Sequence, residues 1–264
     1  MLLLKLINNI FAWFSSVCNS IATFFVELYN DFHHVMIEGS RYEFMIQGLK
    51  NTFVITLGAL AIGVVIGILV AAIRTSFDKN KETLQLRGGI GYRALQILNS
   101  LCKFYLTVAR GTPVVVQLMI AYFIIFASSD SGVPVAIFAF GVNSGAYVAE
   151  IFRAGIMSVD KGQFEAGRSL GFNYFQTMWY IVIPQMFKVV LPTLCNEFIA
   201  LLKETSVAGY VGVIDLTKAG NTIAGRTFSY FIPLICVAII YLVMVVILSW
   251  LVGLLERRLR KSDH

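Results

Sequence analysis

From Gly48 to Ile73 the chain carries one charged residue, Lys50, before it meets Arg74 and a charged stretch of Asp78, Lys79, Lys81, Glu82, Arg87 and Arg93. A bilayer core of about 30 Å takes roughly 20 helical residues to cross, so this run is long enough to span it. Four further runs follow at about Tyr105–Phe126, Val133–Ile156, Val189–Ala208 and Phe231–Leu255, the last stopped by Glu256 and the basic tail Arg257, Arg258, Arg260 and Lys261. Only 14% of the residues are charged and 58% are apolar, against about a quarter charged in a soluble domain. The surplus apolar surface must face lipid, which argues against a soluble enzyme. The expected fold class is all-α: a polytopic membrane protein with five transmembrane helices.

Lys and Arg are retained in excess on the cytoplasmic side. With the C-terminus inside, the inner segments hold Arg74, Lys79, Lys81, Arg87, Arg93, Lys103, Arg153, Lys161, Arg168, Lys188 and the basic tail; the outer ones hold Lys5, Arg41, Lys50, Lys218 and Arg226. Five spans then place the N-terminus outside. The net charge of +6 does not point to nucleic acid, because no basic stripe is interleaved with stacking aromatics. Cys18, Cys102, Cys195 and Cys236 are isolated, and His33, His34 and His264 lie outside the long apolar runs, so neither a zinc spacing nor a disulfide framework is readable. The expectation is no metal site and no cofactor in this chain.

Residues 1–47 form a separate segment. Lys5, Asn8, Asn9, Ser16, Asn19, Ser20, Thr23 and Glu27 recur at helical spacing on one side, and Leu6, Ile10, Phe14, Val17, Ile21 and Phe24 line the other. A helix of that pattern prefers the membrane interface; a span or an uncleaved signal anchor is the alternative. Residues 48–256 make up the membrane domain, with a loop at about 157–188, and 257–264 are the tail.

The chain has no phosphate-binding glycine loop, no dinucleotide fingerprint, no His-Glu-x-x-His and no nucleophile–base set within the membrane, so covalent chemistry is not its expected work. Between the third and fourth spans, Gly162-Gln163-Phe164-Glu165-Ala166-Gly167-Arg168-Ser169-Leu170-Gly171-Phe172 has helical composition and ends at Gly171, where a helix C-cap needs a left-handed backbone. From local pattern it is either a solvated amphipathic connector or a docking helix for a partner.

Glu165-Ala166-Gly167, then Gly171, then Ile183-Pro184 resembles the EAA loop of ABC importer permeases, whose short coupling helix fits a cleft on the ATPase subunit. Three further strings narrow the resemblance to the polar amino-acid uptake family: Arg110-Gly111-Thr112-Pro113 followed by Gln117; Gly145 to Ile156; and Leu202-Lys203-Glu204-Thr205-Ser206. The similarity runs from about Gly48 to the basic tail. Gly167 stands where the family usually has a second alanine, a small-for-small change that preserves docking and weakens the helix by up to about 1 kcal/mol.

The resemblance implies a permease subunit of an ATP-driven importer in a bacterial inner membrane, moving a polar amino acid into the cytoplasm. It implies as partners an ABC ATPase dimer that performs the hydrolysis, an extracytoplasmic solute-binding protein, and a second permease copy or a similar permease. On this reading Glu165, Ala166, Gly167, Arg168 and Gly171 couple to the ATPase. The alternative is an ion-coupled secondary transporter using Glu150, Glu197 and Glu204, although such folds usually show paired inverted repeats and none is visible.

In the third span Asn143, Tyr147, Glu150 and Ala154 share one face at spacings of four, three and four. A carboxylate is costly against lipid, so this face should look toward a bundle interior or an aqueous cavity. Asn143, Tyr147 and Glu150, with Thr112 and Gln117 at the proline break, are the candidate substrate pathway; a Glu150–Arg153 structural pair competes with that role. Glu197, Lys203 and Glu204 read as a structural ion-pair network. Ala59, Gly63, Gly67 and Ala71 form a small-residue stripe that permits close packing, either within the chain or across a dimer.

Overall fold

The computed structural model describes residues 2–87 and 90–261, with side chains at 13–17, 19–79 and 90–259. Ser262–His264, the end of the expected tail, lie outside the described residues. Among those described there is no strand. The helices are α1 (Leu2–Phe32), α2 (Tyr42–Arg87), α3 (Ile90–Gly111), α4 (Val114–Ile120, extended by a wide turn to Ile125), α5 (Gly132–Ser158), α6 (Lys161–Ser169), α7 (Tyr174–Thr177), α8 (Ile183–Glu204), α9 (Leu216–Thr227) and α10 (Phe231–Lys261).

Among the described residues, four helical segments are long and apolar enough to cross a bilayer: Tyr42–Lys79, Gly132–Ser158, Tyr174–Val211 and Phe231–Leu259. The fifth is broken, Ile90–Gly111 meeting Val114–Ile125 at 108°. The run expected at Tyr105–Phe126 is therefore not one straight helix. Pro113 has no N–H to continue the ladder and takes an extended ψ of 134°. The span expected at Val189–Ala208 starts earlier, because Asn173 and Gln176 form a capping box that opens a helical run at Tyr174. α1 is one continuous helix whose Trp13, Phe14, Phe24 and Phe25 are exposed.

The bundle is built on the α2–α5 seam, and the small-residue stripe explains why. A Cβ at Gly67 would lie 2.5 Å from Val148 Cγ1 and 2.9 Å from the Ala149 nitrogen, and one at Gly63 would lie 3.2 Å from the Gly145 nitrogen. Gly141 meets α2 just as closely, its Cβ position falling 2.8 Å from Ile62 Cβ. The stripe packs within the chain. Ile55, Ala59, Leu118, Ala136, Ala139 and Phe140 close the core at one end of this seam, and Val148, Phe152, Val182 and Val190 at the other. Outward-facing Leu242, Val246, Ile247 and Trp250 of α10 stay exposed, as a lipid-facing surface requires.

At the end of the bundle far from α6, a buried carboxylate starts α9. Asp215 accepts from the Thr217 nitrogen at 2.8 Å, the Leu216 nitrogen donates to Thr52 Oγ1 at 3.2 Å, and Asn51 Nδ2 donates to the Ile214 carbonyl at 2.8 Å. Burial pushes the Asp215 pKa from 3.8 up to about 6, against the pull of the Thr217 and Lys218 N–H groups. The docked state thus holds a proton that the undocked segment releases earlier. The associated stability is present below about pH 4 and is lost as pH rises through about 6, by at most about 3 kcal/mol. Asn keeps the cap and carries no charge. Asp215→Asn should therefore flatten the fall in thermal stability of the detergent-solubilised protein between pH 4 and 7; an unchanged slope would show that Asp215 stays ionised throughout.

Candidate functional site

The proline break is held open by side chains. Asn143, 3% exposed on α5, donates to the Ala109 carbonyl at 2.8 Å and to Gln117 Oε1 at 3.1 Å. Gln117 Nε2 lies 2.9 Å from the same Ala109 carbonyl and 2.7 Å from Thr112 Oγ1, which itself donates to the Val108 carbonyl at 2.8 Å. Carbonyls freed where the helix stops must be satisfied when they lie away from water. Asn143, Gln117 and Thr112, named together from sequence, do meet, but their polar atoms are spent on the bend.

Tyr147 and Glu150 point elsewhere, into a cleft of about 570 Å³ lined also by Arg74, Lys103, Thr107 and Arg110. Arg110 Nη1 lies 3.6 Å from Glu150 Oε1, and its guanidinium carbon stands 5.7 Å from the Tyr147 ring centroid. Arg153 Nε lies 3.7 Å from Glu150 Oε2, so the competing pair is present, and Arg153 Nη1 also reaches Asp78 Oδ2 at 3.2 Å. Arg74, Lys103 and Arg110 outnumber the single carboxylate of the lining. Sequence reading missed Lys103 and Thr107, although Lys103, Thr107 and Arg110 recur at spacings of four and three and so share one face of α3.

Of the ion-pair network expected among Glu197, Lys203 and Glu204, no cation–carboxylate pair falls within 4 Å; Lys203 acts on its neighbour Glu204 at longer range, and Glu197 Oε1 instead accepts from Ser144 Oγ at 2.8 Å. Six and seven helical positions separate Glu197 from the other two, about two turns, which is too far for a direct contact.

α6 follows α5 after the turn at Val159–Asp160. Asp160 caps its start by accepting from the Gly162 nitrogen at 2.6 Å. At its end Phe172 N donates to the Gly167 carbonyl at 3.0 Å and Gly171 N to the Arg168 carbonyl at 2.9 Å, with Gly171 at φ +81°. This is the left-handed closure that glycine permits. Glu165, Ala166 and Arg168 are exposed, whereas Gly167 is buried, and a Cβ there would lie 2.8 Å from Thr177 Cγ2 and Oγ1. The glycine is thus not a neutral replacement of alanine but a close approach of α6 to α7.

The family model described as the inner-membrane component of binding-protein-dependent transport systems matches residues 89–261. A putative glutamine transport system permease of Rickettsia bellii is 36% identical over 222 residues, covering 82% of this chain and 93% of that one. The arginine transport system permease of Bacillus subtilis is 33% identical over 83% of this chain and 94% of its own, and the glutamine permease of Escherichia coli is 35% identical over 82% and 93%. Among solved structures, an amino acid ABC transporter crystallised with histidines superposes with a TM-score of 0.71 at 38% identity, covering 82% of this chain and 94% of that one. A methionine ABC transporter in an inward-facing form shares the fold, with a TM-score of 0.69 at 18% identity over 84% and 99%.

Proposed function

The chain belongs to the family of inner-membrane components of binding-protein-dependent transport systems, and we propose that it is the permease subunit of an ATP-driven importer of a polar amino acid. A separate ATPase dimer docks on Glu165, Ala166 and Arg168, and a solute-binding protein delivers the substrate at the opposite end. The permease works beside a second copy or a similar subunit, with the N-terminus outside, the C-terminus cytoplasmic and the N-terminal helix lying in the interface. The observation that carries this reading is α6, a helix capped at both ends that exposes a charged face while its glycine is pressed onto α7. A passive connector has no need of that rigidity.

The Arg110–Glu150 cleft suits a molecule that carries a carboxylate and an ammonium on one carbon. The carboxylate is met by Arg110, with Lys103 and Arg74 beside it, and the ammonium by Glu150; charge-assisted pairs of this kind are about twice as strong as neutral ones. Tyr147 supplies a ring face over which a cation sits favourably. Hydrolysis would happen outside this chain. Closure of the ATPases would act by favouring one of two permease conformations, which is all a bound partner can do to such an equilibrium.

The test is uptake of labelled amino acid into vesicles containing the purified complex. Uptake should require ATP, the ATPase and the binding protein, and should persist when ion gradients are collapsed. Uptake by the permease alone, driven by a proton or sodium gradient, would assign the chain to the secondary transporters instead.

A further inference from the structure

α2 does not stop where its apolar run stops. It continues as one helix to Arg87, and the turns beyond Ile73 make two contacts that the apolar run could not. Asp78 Oδ2 lies 3.2 Å from Arg153 Nη1. Its neighbour Lys79 places Nζ 3.4 Å from the ring centroid of Phe164 on α6 and 5.6 Å from that of Tyr174, the first residue of α7. A cation between two aromatic faces is held by their quadrupoles, so Lys79 ties α2 to the docking helix, in a cleft that Glu165 and Arg168 also line.

These contacts sit at the end of a continuous series. Glu150 is shared between Arg110 and Arg153, and Arg153 between Glu150 and Asp78, at distances of 3.6, 3.7 and 3.2 Å. Each neighbour takes a different atom of the shared ion, Oε1 and Oε2 of Glu150 and Nε and Nη1 of Arg153, so moving one partner re-aims the ion at the other. An ammonium that takes Glu150 releases Arg153 toward Asp78, and a shift of α6 that drags Lys79 draws Asp78 away from Arg153. Because the two residues are adjacent on one helical turn, cleft and docking helix bias the same short stretch of α2, and such an influence must run in both directions.

We propose that Asp78 and Lys79 are positioning residues forming the joint through which movement of α6 reaches the Arg110–Glu150 cleft. The inference rests on the importer reading above and adds to it the element that links the two ends of the subunit. Asp78 acts through Arg153 and Lys79 through Phe164 and Tyr174. Their loss should leave binding and assembly in place and break the tie between hydrolysis and uptake.

The experiment compares Lys79→Met, Lys79→Arg and Asp78→Asn in vesicles holding the complete complex, with amino acid taken up per ATP hydrolysed as the readout and co-purified ATPase as the assembly control. Met keeps the length of the side chain without its charge, whereas Arg retains a cation that stacks on aromatic faces. Lys79→Met and Asp78→Asn should lower the ratio by about fivefold or more at normal ATPase content, the lower end of ordinary site-to-site coupling, and Lys79→Arg should restore most of it. If Lys79→Met fails to assemble, Asp78→Asn, which leaves the aromatic contacts intact, decides the matter alone. A wild-type ratio in Asp78→Asn overturns the joint while leaving the importer intact. A wild-type complex without ATP-driven uptake overturns the importer reading and the joint with it.

Discussion

Gly171→Val should leave the chain inserted in the membrane and end ATP-driven uptake. Gly171 holds φ at +81° with no neighbour within 4 Å of a Cβ position, so space is not the obstacle. The obstacle is the backbone itself. The left-handed conformation costs an ordinary L-residue about 1–2 kcal/mol, and a β-branched one more. Escape from it breaks the Phe172-to-Gly167 and Gly171-to-Arg168 hydrogen bonds that close α6, each worth about 1 kcal/mol net. Strain and escape are alternatives, so the variant bears about 2 kcal/mol rather than their sum, roughly a 30-fold drop in the population of the closed cap. The last turn of α6 carries the exposed Arg168, so the docking face loses its shape at the point where a partner reads it. Gly171→Asn is the graded control, since Asn tolerates this region better than Val. Uptake should rank Gly above Asn above Val with equal amounts of permease in the membrane. Normal uptake with normal bound ATPase in the Val variant would make α6 a passive connector.

The parts of this molecule that were legible in the sequence are those fixed by backbone chemistry. Gly171 was readable as a C-cap because few residues other than glycine adopt that φ cheaply. The Ala59–Gly63–Gly67–Ala71 stripe was readable as a packing seam, although its partner, α5, was not, because small residues say how close a neighbour comes and not which neighbour it is. Pro113 announced an interruption without its angle. Asn143, on the polar face of the third span, and Gln117, at the proline break, read as pathway residues. Only the bend itself shows that carbonyls at Ala109 and Thr112 consume them.

The extension of α2 was lost for a different reason. Hydropathy falls after Ile73, and the apolar run by itself marks only the end of the span. Yet no Gly or Pro occurs from Ile68 to Arg87, and a helix with nothing to stop it continues into water. That signal was present and would have placed Asp78 and Lys79 on a helix. Their contacts with Arg153 and Phe164, like that of Glu197 with Ser144, join residues far apart in sequence and leave no trace in a single chain's pattern.

Glu150→Gln should lower amino-acid uptake about tenfold while the complex still assembles and hydrolyses ATP. Two geometries bear on whether Glu150 serves substrate or structure. A carboxylate locked to a guanidinium for structural reasons sits at about 2.7–2.9 Å from it. Glu150 stands 3.6 Å from Arg110 and 3.7 Å from Arg153, with its side chain 35% exposed and that of Arg110 47% exposed. Half-solvated pairs this loose contribute about 0–1 kcal/mol. Little stability is lost when either is broken, and an incoming ammonium can displace them at small cost. The pair formed with substrate in a drier, closed cleft is worth about 1.5–3 kcal/mol, which sets the tenfold scale. Arg110→Gln should be comparably harmful, since it removes the group facing the substrate carboxylate, and Arg110→Gln with Glu150→Gln should cost less than the sum because both ends hold one molecule. Arg153→Gln, behind the cleft, should reduce uptake less than either. The measurement is uptake and ATPase activity of each variant in reconstituted vesicles. If Glu150→Gln and Arg153→Gln instead both abolish assembly, and the double variant is no worse than either alone, Glu150 is one half of a structural pair and the substrate role is lost.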